Sequence, residues 1–157
     1  MAIKDQGEAP IPRHQRVLRW LFERLQPYVE RERIGELFWP PADIELEPGN
    51  ITQPDLFVVP GARKVQRWEE VTALLLAIEA LSPSTARYNR TVKRPYYQRN
   101  SVPEYWVVDA DARLVERWRP DDSRPEILTD SLVWEPAGAS GPLSLDLTDL
   151  WAEISEE

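Results

Sequence analysis

The chain has 157 residues, of which 42% are apolar and 29% charged, and it carries a formal net charge of −8 with no cysteine. Its length suits one domain with a core built around a sheet, and its composition is that of a soluble globular protein. The charge excludes a protein that coats nucleic acid through its overall field; the lack of thiols excludes disulfides and thiolate metal sites, leaving oxygen or the single histidine, His14, for any metal.

No run approaches the ~20 apolar residues of a membrane-spanning helix. The opening MAIKDQGEAP lacks the apolar centre of a signal peptide, so the expected location is the cytoplasm. The average charge hides an asymmetry. Residues 104–157 hold 14 acids and 4 bases, whereas residues 1–103 hold 13 acids and 15 bases. Between Ala80 and Pro103 every charged residue is basic: Arg87, Arg90, Lys93, Arg94 and Arg99. That segment is the place for a polyanion, or else a solvated basic face. The acidic C-terminal third offers a homodimer interface or a limit on access to nucleic acid.

In chain order, residues 13–29 place Val17, Leu18, Leu21, Phe22 and Leu25 at helical spacing, which predicts an amphipathic helix. A β-rich part begins at Gly35. Residues 36–39 and 43–46 are two strands or one bent strand, because Pro40-Pro41 prevents regular pairing between them. Residues 54–59 form the next strand and 74–80 the most apolar one. Over 84–100, Tyr88, Val92 and Tyr96 make a helical stripe that Pro95 must kink or restart. Residues 104–109, EYWVVD, are apolar on both faces and belong inside a sheet; 113–119 pairs with them across the 110–112 turn. Short strands at 126–128 and 131–134 and a closing helix over 147–154 complete a mixed α/β fold with one sheet. No repeat or linker divides the chain.

Two carboxylates sit where strands this apolar do not ordinarily place them: Asp55, opening DLFVV, and Glu79, closing LLLAIE. If the strands are neighbours, both acids meet at one sheet edge, where a hard divalent cation such as magnesium is held by oxygen ligands and water. An acid at a strand end is also a turn former or an ion-pair partner. Lys93, fourteen residues after Glu79 on the segment returning over the sheet, is able to steady charge developing on a phosphate; alone it reads as a surface lysine. His14 falls on the polar side of the first helix. Of the seven tryptophans, Trp106 and Trp118 suit the core, and Trp39 and Trp68 are the two whose exposure would bear on base stacking.

The order Pro54-Asp55, then IEALSPST (78–85), then Arg90-Thr91-Val92-Lys93 with Tyr97, then VPEYWVVD (102–109) resembles the Uma-two-type putative restriction endonuclease family, within the PD-(D/E)xK nuclease superfamily. The resemblance covers about residues 13–119. It implies a restriction-endonuclease-like core, one mixed sheet flanked by helices, followed by C-terminal β segments and a closing helix over 120–157. It further implies that Asp55, Glu79 and the backbone carbonyl of Ala80 bind magnesium or manganese. The lysine usual two residues after the acid is replaced by Leu81, and Lys93 on the following helix stands at the matching position. Asp43 matches a recurring acid of the family; it is a supporting partner of the site or a turn or ion-pair residue. The chain departs from the family at Asn89, often aspartate, and at Leu74-Leu75, often Pro-Asp. The implied activity is metal-dependent endonucleolytic cleavage of DNA with catalytic Asp55, Glu79 and Lys93. The alternatives are a catalytically inactive nuclease-fold binding or assembly module, and an RNase.

Overall fold

The computed structural model describes residues 2–3, 12–82 and 86–155. Its elements are β1 (Ala2–Ile3), α1 (Pro12–Glu32), β2 (Gly35–Phe38), β3 (Ile44–Glu47), β4 (Asn50–Thr52), β5 (Leu56–Pro60), a 3-10 turn (Trp68–Glu70), β6 (Leu76–Ala80), α2 (Ala86–Tyr88), a π turn (Asn89–Lys93), α3 (Arg94–Arg99), β7 (Tyr105–Asp109), β8 (Leu114–Trp118), β9 (Glu126–Leu128), β10 (Ser131–Trp134), β11 (Leu143–Asp146) and α4 (Leu147–Ser155). A six-stranded sheet has the order β2-β5-β6-β7-β8-β9. Its neighbours are antiparallel except β6 and β7, which are parallel. Parallel neighbours need a crossover, and the α2–π–α3 segment supplies it.

Alternation along the central strands explains the layers. Leu56, Val58, Leu76, Ile78, Trp106 and Val108 point into one apolar cluster with α1 and α4. Phe57, Val59, Ala77, Tyr105 and Val107 point into a second cluster, closed by Tyr96 and Tyr97 of α3 and Ile44 of β3. The apolar runs are therefore buried on both faces, as a central strand requires. In α1, Val17, Trp20, Leu21, Leu25, Tyr28 and Val29 are buried at three- and four-residue steps. The Trp20 indole N–H donates to Asp149 of α4 at 3.0 Å. No helix among the described residues is long and apolar enough to cross a membrane.

The expectation of a single sheet holds for the six-stranded one, to which two small sheets are added: β1-β4-β3 and the β10-β11 hairpin. Pro40-Pro41 takes the chain out of the central sheet after Trp39, so β3 pairs with β4, Ile44 opposite Thr52, and not with β2. Strands β4 and β11 were not expected; three and four residues carry too little periodicity to stand out. Residues 83–85 of the IEALSPST stretch lie outside the described residues.

The helical segment differs from the expected stripe. Asn89, Lys93, Tyr96 and Tyr97 are buried, while Tyr88 and Val92 are only half-buried. The π turn re-phases the segment: the Arg94 N–H bonds back to the carbonyl of Asn89, five residues earlier. Pro95, lacking an N–H, then falls in the first turn of α3, where none is needed. Two tyrosines of α3 tie the small sheet to this segment. Tyr96 Oη donates to the Asn50 carbonyl at 2.8 Å and accepts the Leu46 N–H at 2.9 Å.

Two predictions follow from this packing. A Cβ at Gly35 would stand 2.2 Å from the carbonyl oxygen of Val59 on β5, so β2 keeps its place only with glycine there. Gly35→Ala is expected to cost about 1–3 kcal/mol in urea unfolding followed by tryptophan fluorescence; an unchanged midpoint would mean that the strands do not approach so closely. The second concerns Glu47, which accepts hydrogen bonds from Arg99 at 2.8 and 2.9 Å and from Asn100 at 2.6 Å. Arg99 foremost, then Asn100 and Asn50, hold its carboxyl down at about 2, from an ordinary 4.5. A depressed carboxylate contributes stability above its unfolded pKa and loses it as pH falls through the folded one. Wild type should therefore lose stability relative to Glu47→Gln as pH drops from about 4.5 to 2. Parallel loss in both proteins would refute the linkage.

Candidate functional site

The β5–β6 register, Leu56 opposite Ile78, brings the start of β5 beside the end of β6. The Asp55 N–H donates to the Ile78 carbonyl at 3.1 Å. The Asp55 carboxylate in turn accepts the Ala80 N–H at 2.9 Å through Oδ2. The two sequence-predicted acids therefore stand at adjoining strand ends.

The pleat then decides where Glu79 points. It shares a face with Ala77, the face covered by the helical segment, and Lys93 descends onto it from the end of the π turn. Lys93 Nζ donates to Glu79 Oε1 at 2.9 Å, with the side chains 0% and 1% exposed. π turns interrupt helices disproportionately at functional sites. Around the pair the walls are aromatic: the rings of Tyr97 and Tyr105 pack with centres 4.8 Å apart and planes tilted at 43°, and the Tyr88 ring centre lies 6.0 Å from Lys93 Nζ. Burial, and next the charge of Glu79, push the phenols of Tyr97 and Tyr105 well above their usual value, so both stay neutral. Tyr97 Oη and Thr52 Oγ1 lie 2.7 Å apart, so Tyr97 serves the site and the core together.

The site also contains a residue that sequence reasoning undervalued. His14, in the first turn of α1, places Nε2 3.0 Å from the Ala80 carbonyl oxygen and 3.4 Å from Asp55 Oδ2. A carbonyl only accepts, so Nε2 carries the proton. The available signal was position: His14 precedes Val17 by three residues and Leu18 by four, on the side of α1 that docks against β6.

Asp43 is exposed and its carboxylate accepts a hydrogen bond from the Gln53 side chain. Several cations of the basic segment also have partners within the protein, while Arg90 and Arg99 keep about half of their side chains exposed. Arg90 pairs with Glu116 of β8, Arg99 with Glu47 and Lys93 with Glu79. Arg94 lies over the Trp118 ring, 4.7 Å from its centre. Arg87 remains exposed. Among the described residues, the buried Asn89 Oδ1 and Tyr105 Oη make no hydrogen bond, which is the kind of opening an ordered water fills.

Among the described residues, no three His, Cys, Asp or Glu side chains gather as metal ligands. The oxygen donors at this spot are two carboxylates and a backbone carbonyl. That set is too small for a closed cage but fits magnesium, which binds through one or two carboxylates and keeps water or substrate phosphate in its remaining positions.

Removing one partner of a buried pair strands the other charge. Lys93→Ala should therefore cost about 3–5 kcal/mol in urea unfolding, and the joint replacement Glu79→Leu with Lys93→Met should recover most of it. Equal losses in the single and joint variants would mean that the two charges do not pair.

The family model described as "Putative restriction endonuclease", Uma2, matches residues 5–151. Among solved structures, the crystal structure of a putative nuclease belonging to DUF820 from Anabaena variabilis is similar, with a TM-score of 0.78 and 23% sequence identity over 96% of this chain and 86% of that one. This likeness shows the fold, a mixed sheet flanked by helices of the restriction-endonuclease-like kind. No curated protein matches the chain. The family match takes in the whole site, from His14 to Lys93, and the chain belongs to the Uma2 family of putative restriction endonucleases.

Proposed function

We propose that the protein is a magnesium-dependent endonuclease, with manganese as a substitute, that hydrolyses phosphodiester bonds of DNA. The single observation that carries this reading is the buried Lys93–Glu79 pair at the end of β6, beside Asp55. A buried ion pair is poor value for stability alone, since hydrophobic residues of similar size often do as well or better. Its placement at converging carboxylates, in a chain of this family, favours chemistry over packing.

Asp55, Glu79 and the carbonyl of Ala80 are the residues to hold the cation. Bound there, magnesium supplies Lewis-acid polarisation of a phosphate and a lowered pKa for a water. Lys93, a compact ammonium with three donors, stays in reach of Glu79 and offsets negative charge building on the phosphate during attack. Tyr97 and Tyr105, neutral and buried, keep the surroundings of low polarity, which strengthens each of these interactions. His14 orients the Ala80 carbonyl and the Asp55 carboxylate from the opposite face of the sheet.

A second reading, a nuclease-fold module that binds without cutting, draws support from the number of cations in the 80–103 segment that are engaged internally. The decisive experiment incubates the purified protein with single- and double-stranded DNA and with RNA, in magnesium, manganese or chelator, beside Asp55→Ala and Glu79→Gln. The expected result is metal-dependent cutting of DNA that falls at least a hundredfold in each variant. Preferential cutting of RNA would change the substrate class. A folded wild type that cuts nothing in either metal would favour the binding module.

A further inference from the structure

Trp39 is 56% exposed. A lone exposed apolar residue is ordinary, but this one lines a cleft of about 520 Å³ whose other walls include Leu18 and Phe22 of α1 and which reaches His14 and Asp55 at the site. The indole is braced edge-on by Phe22, with ring centres 5.1 Å apart and planes at 86°. The cleft therefore combines a held aromatic ring, an apolar wall and direct continuity with the candidate catalytic carboxylate. Its size is that of pockets that take small organic groups.

The charges around it indicate what occupies it. From Pro12 to Phe22, α1 carries Arg13, Arg16 and Arg19 and no acid. Arg13 pairs with Asp111, while Arg16 and Arg19 are exposed and Arg19 lines the cleft. An apolar peptide has no need of the Arg19 guanidinium at the cleft, and the carboxylates of a second acidic chain, which would pair with that guanidinium, do not also use the face of a braced indole. A nucleic-acid strand does: its bases stack on aromatic rings and its phosphates meet arginines.

We infer that the Trp39 cleft is a nucleobase subsite, receiving an unstacked base next to the phosphate that is cut. This rests on the nuclease reading and adds to it a second contact region, on α1 and not on the basic 80–103 segment. It implies a preference for single-stranded or locally opened substrate, since a paired base does not present its face to a tryptophan.

The test compares wild type, Trp39→Ala and Trp39→Phe by fluorescence anisotropy with a labelled single-stranded oligonucleotide in chelator, and by KM for its cleavage in magnesium. A matched oligonucleotide with abasic sites serves as the second probe. Trp39→Ala should weaken binding or raise KM roughly tenfold, the scale of one stacked base, with kcat little changed. Trp39→Phe should restore most of the loss, and wild type should lose a similar factor on the abasic strand while Trp39→Ala does not distinguish the two strands. If wild type cuts the oligonucleotide and Trp39→Ala matches it in both affinity and KM, the subsite is overturned and the nuclease reading stands. If gel filtration shows a dimer that Trp39→Ala dissolves, the cleft is a protein interface and the subsite is likewise overturned. If wild type neither binds nor cuts any nucleic acid, the nuclease reading fails and this inference with it.

Discussion

The 2.9 Å contact between Lys93 and Glu79 ties the crossover segment to a central strand of the sheet. Taking two charges out of water costs several kcal/mol for each ion, so the pair persists only if the surrounding structure fixes both partners closely. Glu79 is fixed because β6 lies between β5 and β7 and is covered on both faces. Lys93 is fixed because the π turn aims it at the face that carries Glu79, while Tyr96 and Tyr97 anchor α3 to the small sheet. Arg90 adds a second clamp from the same segment to Glu116 on β8. The crossover that topology requires between parallel β6 and β7 is thereby also the element that delivers the ammonium.

Four separated stretches of chain meet at the end of β6: the first turn of α1, the start of β5, β6 itself and the π turn. They approach from both sides of the sheet. His14 comes from the α1 face and bonds the backbone oxygen of Ala80, whereas Lys93 comes from the other face and bonds the side chain of Glu79. Alternation in β6 makes this division possible, because Glu79 and Ala80 are adjacent in sequence yet present their side chains to opposite layers. The α1 face continues outward from His14 into the Trp39 cleft, so a substrate strand lying along α1 would reach Asp55 without crossing the buried pair.

Much of this was legible in the sequence because it is local. The doubly apolar strands, the β7–β8 hairpin, the long amphipathic helix and the two misplaced acids all follow from period and residue type. Asp55 and Glu79 were paired on the assumption that their strands are neighbours, and the antiparallel β5–β6 ladder makes them so. What escaped was set by distant partners. His14 looked like a surface histidine because its contacts lie 66 residues away, at Ala80. The helical stripe was legible in part: Tyr96 is buried and Tyr88 and Val92 half-buried against the same cluster, but the burial of polar Asn89 and Lys93 escaped, because nothing local announces a π turn. The basic segment looked free because the acids that meet it, Glu47, Glu79 and Glu116, come from three different strands.

The central claim is that the end of β6 is a divalent-cation site. The most direct measurement is an anomalous difference map from crystals of the protein soaked in manganese. The account predicts a peak between the Asp55 and Glu79 carboxylates and the Ala80 carbonyl. A peak elsewhere, or none at this position in a protein that cleaves DNA in the same manganese concentration, would contradict it.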